Sequence, residues 1–178
     1  MDGEQTSQAG TITEEAFRAI LRAFGLIKRN MEPYFSGYGI SGAQWGVLRV
    51  LHMAEGEGED GLRLTDLGSR LLVRPPSVTT VVDRLERQGL VDRRASTTDR
   101  RAKTVSLSPA GRELVGRILE VHPDRIRSML GGLSLEEQAQ LLGLLGRLQT
   151  HLEGLLAQSE REEREERGTQ AAAALPGK

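Results

Sequence analysis

Apolar residues recur at three- and four-residue steps early in the chain, at Phe17, Ile20, Phe24, Ile27 and Met31. That spacing places them on one face of a helix opened by Ile12. Pro33 and the Gly37–Gly39 region are expected to end that helix. Ser41 and Gln44 have the capping-box spacing, so a second helix follows with Trp45, Leu48 and Leu51 inward. Residues 62–64 read as a short strand, and Thr65 as the cap of a third helix carrying Leu67, Leu71 and Leu72. Over 74–89, Pro75 and Pro76 occupy a first helical turn, whose N–H groups lack partners anyway. Val78, Val81, Val82 and Leu85 then form one stripe, and Gly89 stands at the C-cap. The runs 90–95 and 103–108, with the polar turn 96–102 between them, predict a hairpin.

Ser108 and Pro109 start another helix, which Pro123 should kink or interrupt and Gly131 and Gly132 close. Ser134 and Glu137 form a second capping box. After it Leu141, Leu145, Leu148, Leu152 and Leu155 alternate by four and three, a coiled-coil seam. The predicted order is helix, helix, strand, helix, helix, hairpin, helix, helix. This is a mainly α chain with a small β-hairpin wing, a winged helix-turn-helix over 37–108. The stripes at 12–36 and 109–158 are too large for a lone small domain, which makes them candidate dimerisation helices. Residues 1–11 are expected to be disordered, and 159–178 a charged, flexible tail.

Composition narrows the chemistry. The 178 residues are 38% hydrophobic and 28% charged, with no cysteine, which excludes disulfides and thiolate metal sites. Residues 1–13 do not resemble a signal peptide, and no apolar run approaches the ~20 residues of a membrane span, so a cytoplasmic protein is expected. Three scattered histidines offer no metal cluster. The acidic run 55–61 lacks the alternating spacing of a calcium loop and reads as a solvated loop. No nucleophile elbow, phosphate loop or metal-ligand set is present, so no enzyme, catalytic residue, metal or cofactor is expected.

The net charge of −1 hides an asymmetry. Over 74–103, eight basic residues face four acids, a net +4 on one helix and the hairpin, the electrostatic footprint of a DNA-reading face. With the valines inward, Pro76, Thr80, Asp83, Arg84 and Arg87 project outward, flanked by Ser77 and Thr79. Small hydroxylic residues permit close approach to base edges, and Arg84 is better placed for phosphate. At the hairpin turn Asp99 can hold a neighbouring arginine extended, a shape suited to a narrow minor groove.

The stretch Thr-Thr-Val-Val-Asp-Arg-Leu-Glu-Arg-Gln-Gly-Leu-Val-Asp-Arg-Arg at 79–94 leads through the turn into Asp-Arg-Arg-Ala-Lys-Thr-Val-Ser-Leu-Ser-Pro-Ala-Gly at 99–111. It resembles the multiple-antibiotic-resistance regulator (MarR) family of bacterial winged-helix repressors. The resemblance is good over 41–111, and the flanking helices agree in order and length from about 12 to 157. It implies an obligate homodimer with interleaved terminal helices, bound to double-stranded DNA at a pseudo-palindromic operator. The helix carrying Pro76, Ser77, Thr79, Thr80 and Arg84 would enter the major groove. The wing residues Asp99, Arg100, Arg101 and Lys103 would serve the minor groove, Arg101 leading. The chain departs from the pattern at Arg74, where such proteins often carry a serine or threonine cap. The resemblance also implies a small aromatic or anionic effector that releases the repressor, with Trp45, His52 and His122 as candidate lining residues. The alternative is a winged-helix dimer that serves as a protein-interaction module without binding DNA.

Overall fold

A computed structural model describes residues 2–72, 75–95 and 103–173. Its elements run α1 (Asp2–Ser36), α2 (Gly42–Gly56), β1 (Leu62–Arg63), α3 (Leu64–Leu71), α4 (Pro75–Arg87), β2 (Val91–Ala95), β3 (Lys103–Leu107), α5 (Pro109–Leu130) and α6 (Leu135–Ala173). The chain divides into two units, Met1–Arg125 and Ile126–Lys178. The predicted element order holds throughout.

In the first unit α2, α3 and α4 pack on one another and on a three-stranded antiparallel sheet of order β1-β3-β2. The register pairs Leu62 with Val105, and Val91 with Leu107. Strand alternation turns Val91, Val105 and Leu107 inward, and they are buried, as are Leu48 of α2, Leu67 of α3 and Val78, Val82 and Leu85 of α4. Leu114, Val115 and Ile118 of α5 are also buried. Burial holds α4 in place, since its valines are indifferent helix formers.

The caps explain most boundaries. Ser41 Oγ accepts from the Gln44 N–H at 3.3 Å while Gln44 Oε1 accepts from the Ser41 N–H at 3.0 Å. Gly89 ends α4 at φ +70°, a region open to glycine at little cost. Ser108, almost wholly buried, joins three elements: its Oγ accepts from the Gly111 N–H at 3.0 Å and donates to the Gly89 carbonyl at 2.6 Å. At Gly111 a Cβ would sit 2.0 Å from the Leu90 carbonyl oxygen, so only glycine permits this approach of α5 to the strand entry.

Several expectations are corrected. α1 begins at Asp2 rather than near Ile12; the preceding residues contain no proline to break it. It runs through Pro33 and ends at Ser36, at the expected Gly37–Gly39 boundary, with Met31 and Phe35 buried in its last turns. Thr65 is not a cap. The N-cap is Arg63, without a side-chain bond, and the Thr65 hydroxyl donates to Asp66 Oδ1 at 3.3 Å. α5 passes through Pro123 uninterrupted to Leu130.

In the second unit the Ser134–Glu137 capping box forms with bonds of 2.7 and 3.2 Å. It starts α6, which extends through the charged run to Ala173, well beyond the expected fraying point. Bonds such as Gln158 Nε2 to Glu162 Oε1, 3.1 Å, brace successive turns there. Leu142, Leu144, Leu145, Leu152, Leu155 and Leu156 of this helix are exposed, as are Phe17, Ile20, Leu21, Phe24 and Ile27 of α1 in the first unit.

Candidate nucleic-acid interface

α4 presents the expected face. Ser77, Thr80 and Arg84 are exposed and Thr79 half-buried, opposite the buried Val78, Val82 and Leu85. Pro76 lies in the first turn, and its side chain is outside the described set. Arg84 and Arg87 line a cleft of about 290 Å³ with Gln44 and Gln88. Gln44 Nε2 donates to Gln88 Oε1 at 2.6 Å, and Gln88 Nε2 donates to the Gly39 carbonyl at 3.1 Å. Two amides thus tie the end of α4 to the corner between α1 and α2.

The wing stem is β2 paired with β3 from Val91–Leu107 to Ala95–Lys103. Asp99, Arg100 and Arg101 lie outside the described residues, and Lys103 pairs with Ala95 in the ladder. Sequence reasoning gave no role to Arg93. Its guanidinium pairs with Asp83 of α4, and its Nε lies 3.3 Å from Glu86 Oε2. The available signal was Asp83 and Glu86 three apart on one helix face, followed by an arginine at an alternating strand position.

The candidate effector residues separate. Trp45 is buried, stacked on Phe35 at 5.5 Å between ring centroids and edge-on to His122 at 5.2 Å. His122 also stacks on Tyr34 at 5.8 Å. Its Nδ1 is buried without a hydrogen-bond partner. Burial, aided by the charge of Arg49, holds the imidazole below its ordinary pKa. Burial likewise raises the Tyr34 phenol, whose hydroxyl donates to the Ile118 carbonyl at 3.3 Å. His52 is half-buried on α2 and joins none of the described ring contacts. Among the described residues no His, Asp and Glu group could hold a metal ion, and no helix is long and apolar enough to cross a membrane.

A sequence profile described as MarR family matches residues 38–102, from the start of α2 through the wing turn. The HTH-type transcriptional regulator YkoM of Bacillus subtilis is 31% identical over 140 residues, which cover 79% of this chain and 88% of YkoM. The chain belongs to the MarR family. A probable transcriptional regulator from Pseudomonas aeruginosa is similar in structure, with TM-score 0.67 and 32% identity over 77% of this chain and 98% of that one. So is a mutant MarR from Escherichia coli solved in complex with operator DNA, with TM-score 0.67 and 26% identity over 74% of this chain and 91% of that one. As a MarR-family protein this chain is a DNA-binding transcription regulator with a winged helix, and not an enzyme. The family match spans the recognition-helix candidates and the wing tip, together with Trp45 and His52; Lys103 and His122 fall beyond it.

Proposed function

We propose that this MarR-family chain works in the cytoplasm as a homodimeric repressor that binds a pseudo-palindromic operator and is released by a small aromatic or anionic effector. The observation that carries the reading is the exposed face of α4, hydroxylic in its first half and bearing the exposed Arg84 and Arg87 in its second, beside a hairpin stem that leads to Asp99, Arg100 and Arg101. Pro76, Ser77, Thr79 and Thr80 meet base edges and nearby phosphates, while Arg84 meets phosphate. The N-terminus of α4 adds partial positive charge to the same contact. Arg101, held by Asp99 and assisted by Arg100 and Lys103, enters the minor groove. Exposed leucines on α6 and aromatic and aliphatic residues on α1 bury against a second copy. The effector reading is best supported at His122 and Trp45, where an unpartnered imidazole nitrogen sits in an aromatic cluster.

Fluorescence anisotropy with the chain's own upstream DNA tests this. Affinity should fall steeply with salt through counterion release. Arg101→Ala should weaken binding about tenfold, the value of one good contact, with melting unchanged. Binding by the variant equal to that of the parent would remove the wing from the mechanism. Aromatic carboxylates that leave the complex intact at millimolar concentration would remove the proposed effector class.

A further inference from the structure

The second half of α4 carries Asp83, Arg84, Glu86 and Arg87. By itself that face is neutral, and a neutral face has little attraction for a phosphate backbone. The structure offsets its acids in part. Arg93 reaches from β2 to hydrogen-bond Asp83. Its Nε lies 3.3 Å from Glu86 Oε2 as an ion pair without a hydrogen bond, and the side chain is only 22% exposed there. Arg94, on the opposite face of the strand, pairs with Asp92 at 3.5 Å. Arg84 and Arg87 meet no carboxylate among the described residues. Arg87 Nε instead donates to the Asp83 carbonyl at 3.2 Å, and both arginines are exposed.

We infer that Arg93 is a positioning residue for DNA binding. It draws the carboxylates of α4 toward β2 and offsets one of their two charges, which leaves Arg84 and Arg87 in excess on the outward face without Arg93 touching the duplex itself. The inference rests on α4 being the groove-facing helix. An unpaired carboxylate within the Debye length of a phosphate, ~10 Å at 0.1 M salt, repels it. The single charge of Arg93 offsets one of the two carboxylates, which takes this face from neutral to a net +1. The partners are half-exposed, with side-chain exposures of 46% for Asp83 and 44% for Glu86, so each pair makes a modest contribution and the two act together.

The probe is a random-sequence duplex of about 30 base pairs at about 50 mM salt, where binding is almost wholly electrostatic. Arg93→Met in the full chain should weaken it about five- to tenfold, the reach of two half-exposed charge pairs. Adding Asp83→Asn and Glu86→Gln to Arg93→Met should restore affinity to the parent's level or above, because the unpaired acids are then gone. Glu113→Gln with Glu120→Gln on α5 in the Arg93→Met background supplies the same change in net charge away from α4 and should restore little; equal restoration by that pair overturns the inference. Arg93→Met binding like the parent, or the triple variant staying as weak as the single, overturns the inference. If Arg93→Met melts too low to assay, Asp83→Asn with Glu86→Gln in the otherwise unaltered chain should bind at least as tightly as the parent, and weaker binding overturns the inference. Arg84→Ala with Arg87→Ala separates the two layers. If that pair leaves affinity unchanged, the reading of α4 fails and the inference with it; if it weakens binding while the Arg93 series misbehaves, only the role of Arg93 fails.

Discussion

Ser108→Ala should weaken the joint between the recognition helix, the wing and α5. The hydroxyl donates to the Gly89 carbonyl at 2.6 Å and accepts from the Gly111 N–H at 3.0 Å in a site that is 5% exposed. Loss of an N-cap contact costs about 0.5–2 kcal/mol. Loss of the second bond adds about 0.5–1.5 kcal/mol. The two are coupled through one oxygen, so a combined loss of about 2–3 kcal/mol is expected. For a chain of this length, that corresponds to a fall in Tm of roughly 5–10 °C. Circular dichroism melting at fixed protein concentration measures it, since self-association makes Tm concentration-dependent. Ser108→Thr keeps both bonds and should recover most of the loss. A shift below about 2 °C for the alanine variant would refute the reasoning, because a contribution well under 1 kcal/mol means the joint does not depend on these bonds.

Gly111→Ala places a methyl group 2.0 Å from the Leu90 carbonyl oxygen, part of the backbone. It should destabilise by at least about 2 kcal/mol in urea unfolding, the cost of a forced backbone shift; a midpoint like the parent's would contradict the close approach. The folded chain holds His122 below its ordinary pKa of about 6.5, so the unfolded chain protonates first as pH falls. The stability linked to this group is complete above that value and is lost as pH drops below it. Melting at pH 7.5 and 5.5 should show a smaller pH difference in His122→Phe than in the parent, and an identical difference would contradict the shift. Phe24→Glu combined with Leu152→Glu should give a monomer in sedimentation at micromolar concentration, each charge having been placed on an exposed apolar stripe. A persistent dimer would place the interface elsewhere.

Local chemistry was the most legible part of the chain. Ser41 with Gln44, Ser134 with Glu137, Ser108 before Pro109 and Gly89 after α4 each settle a boundary within three or four residues, and all four occur as expected. The stripe of Val78, Val82 and Leu85 set the orientation of α4, and with it the exposed Ser77, Thr80 and Arg84. What escaped the sequence depends on contacts between distant residues. The cluster of Tyr34, Phe35, Trp45 and His122 joins three helices, and only folding brings His122 to Trp45. Asp83 and Arg93 were counted as charges of a basic segment, whereas their pairing removes them from its outward field.

The central claim is that a pair of these chains sets two α4 helices and two wings against one DNA duplex. Hydroxyl-radical footprinting on upstream DNA selected for binding tests it most directly. Two protected half-sites related by a two-fold axis are expected, their centres about 10 base pairs or one helical turn apart. Binding that leaves a single asymmetric patch, or no protection at low salt, would contradict it.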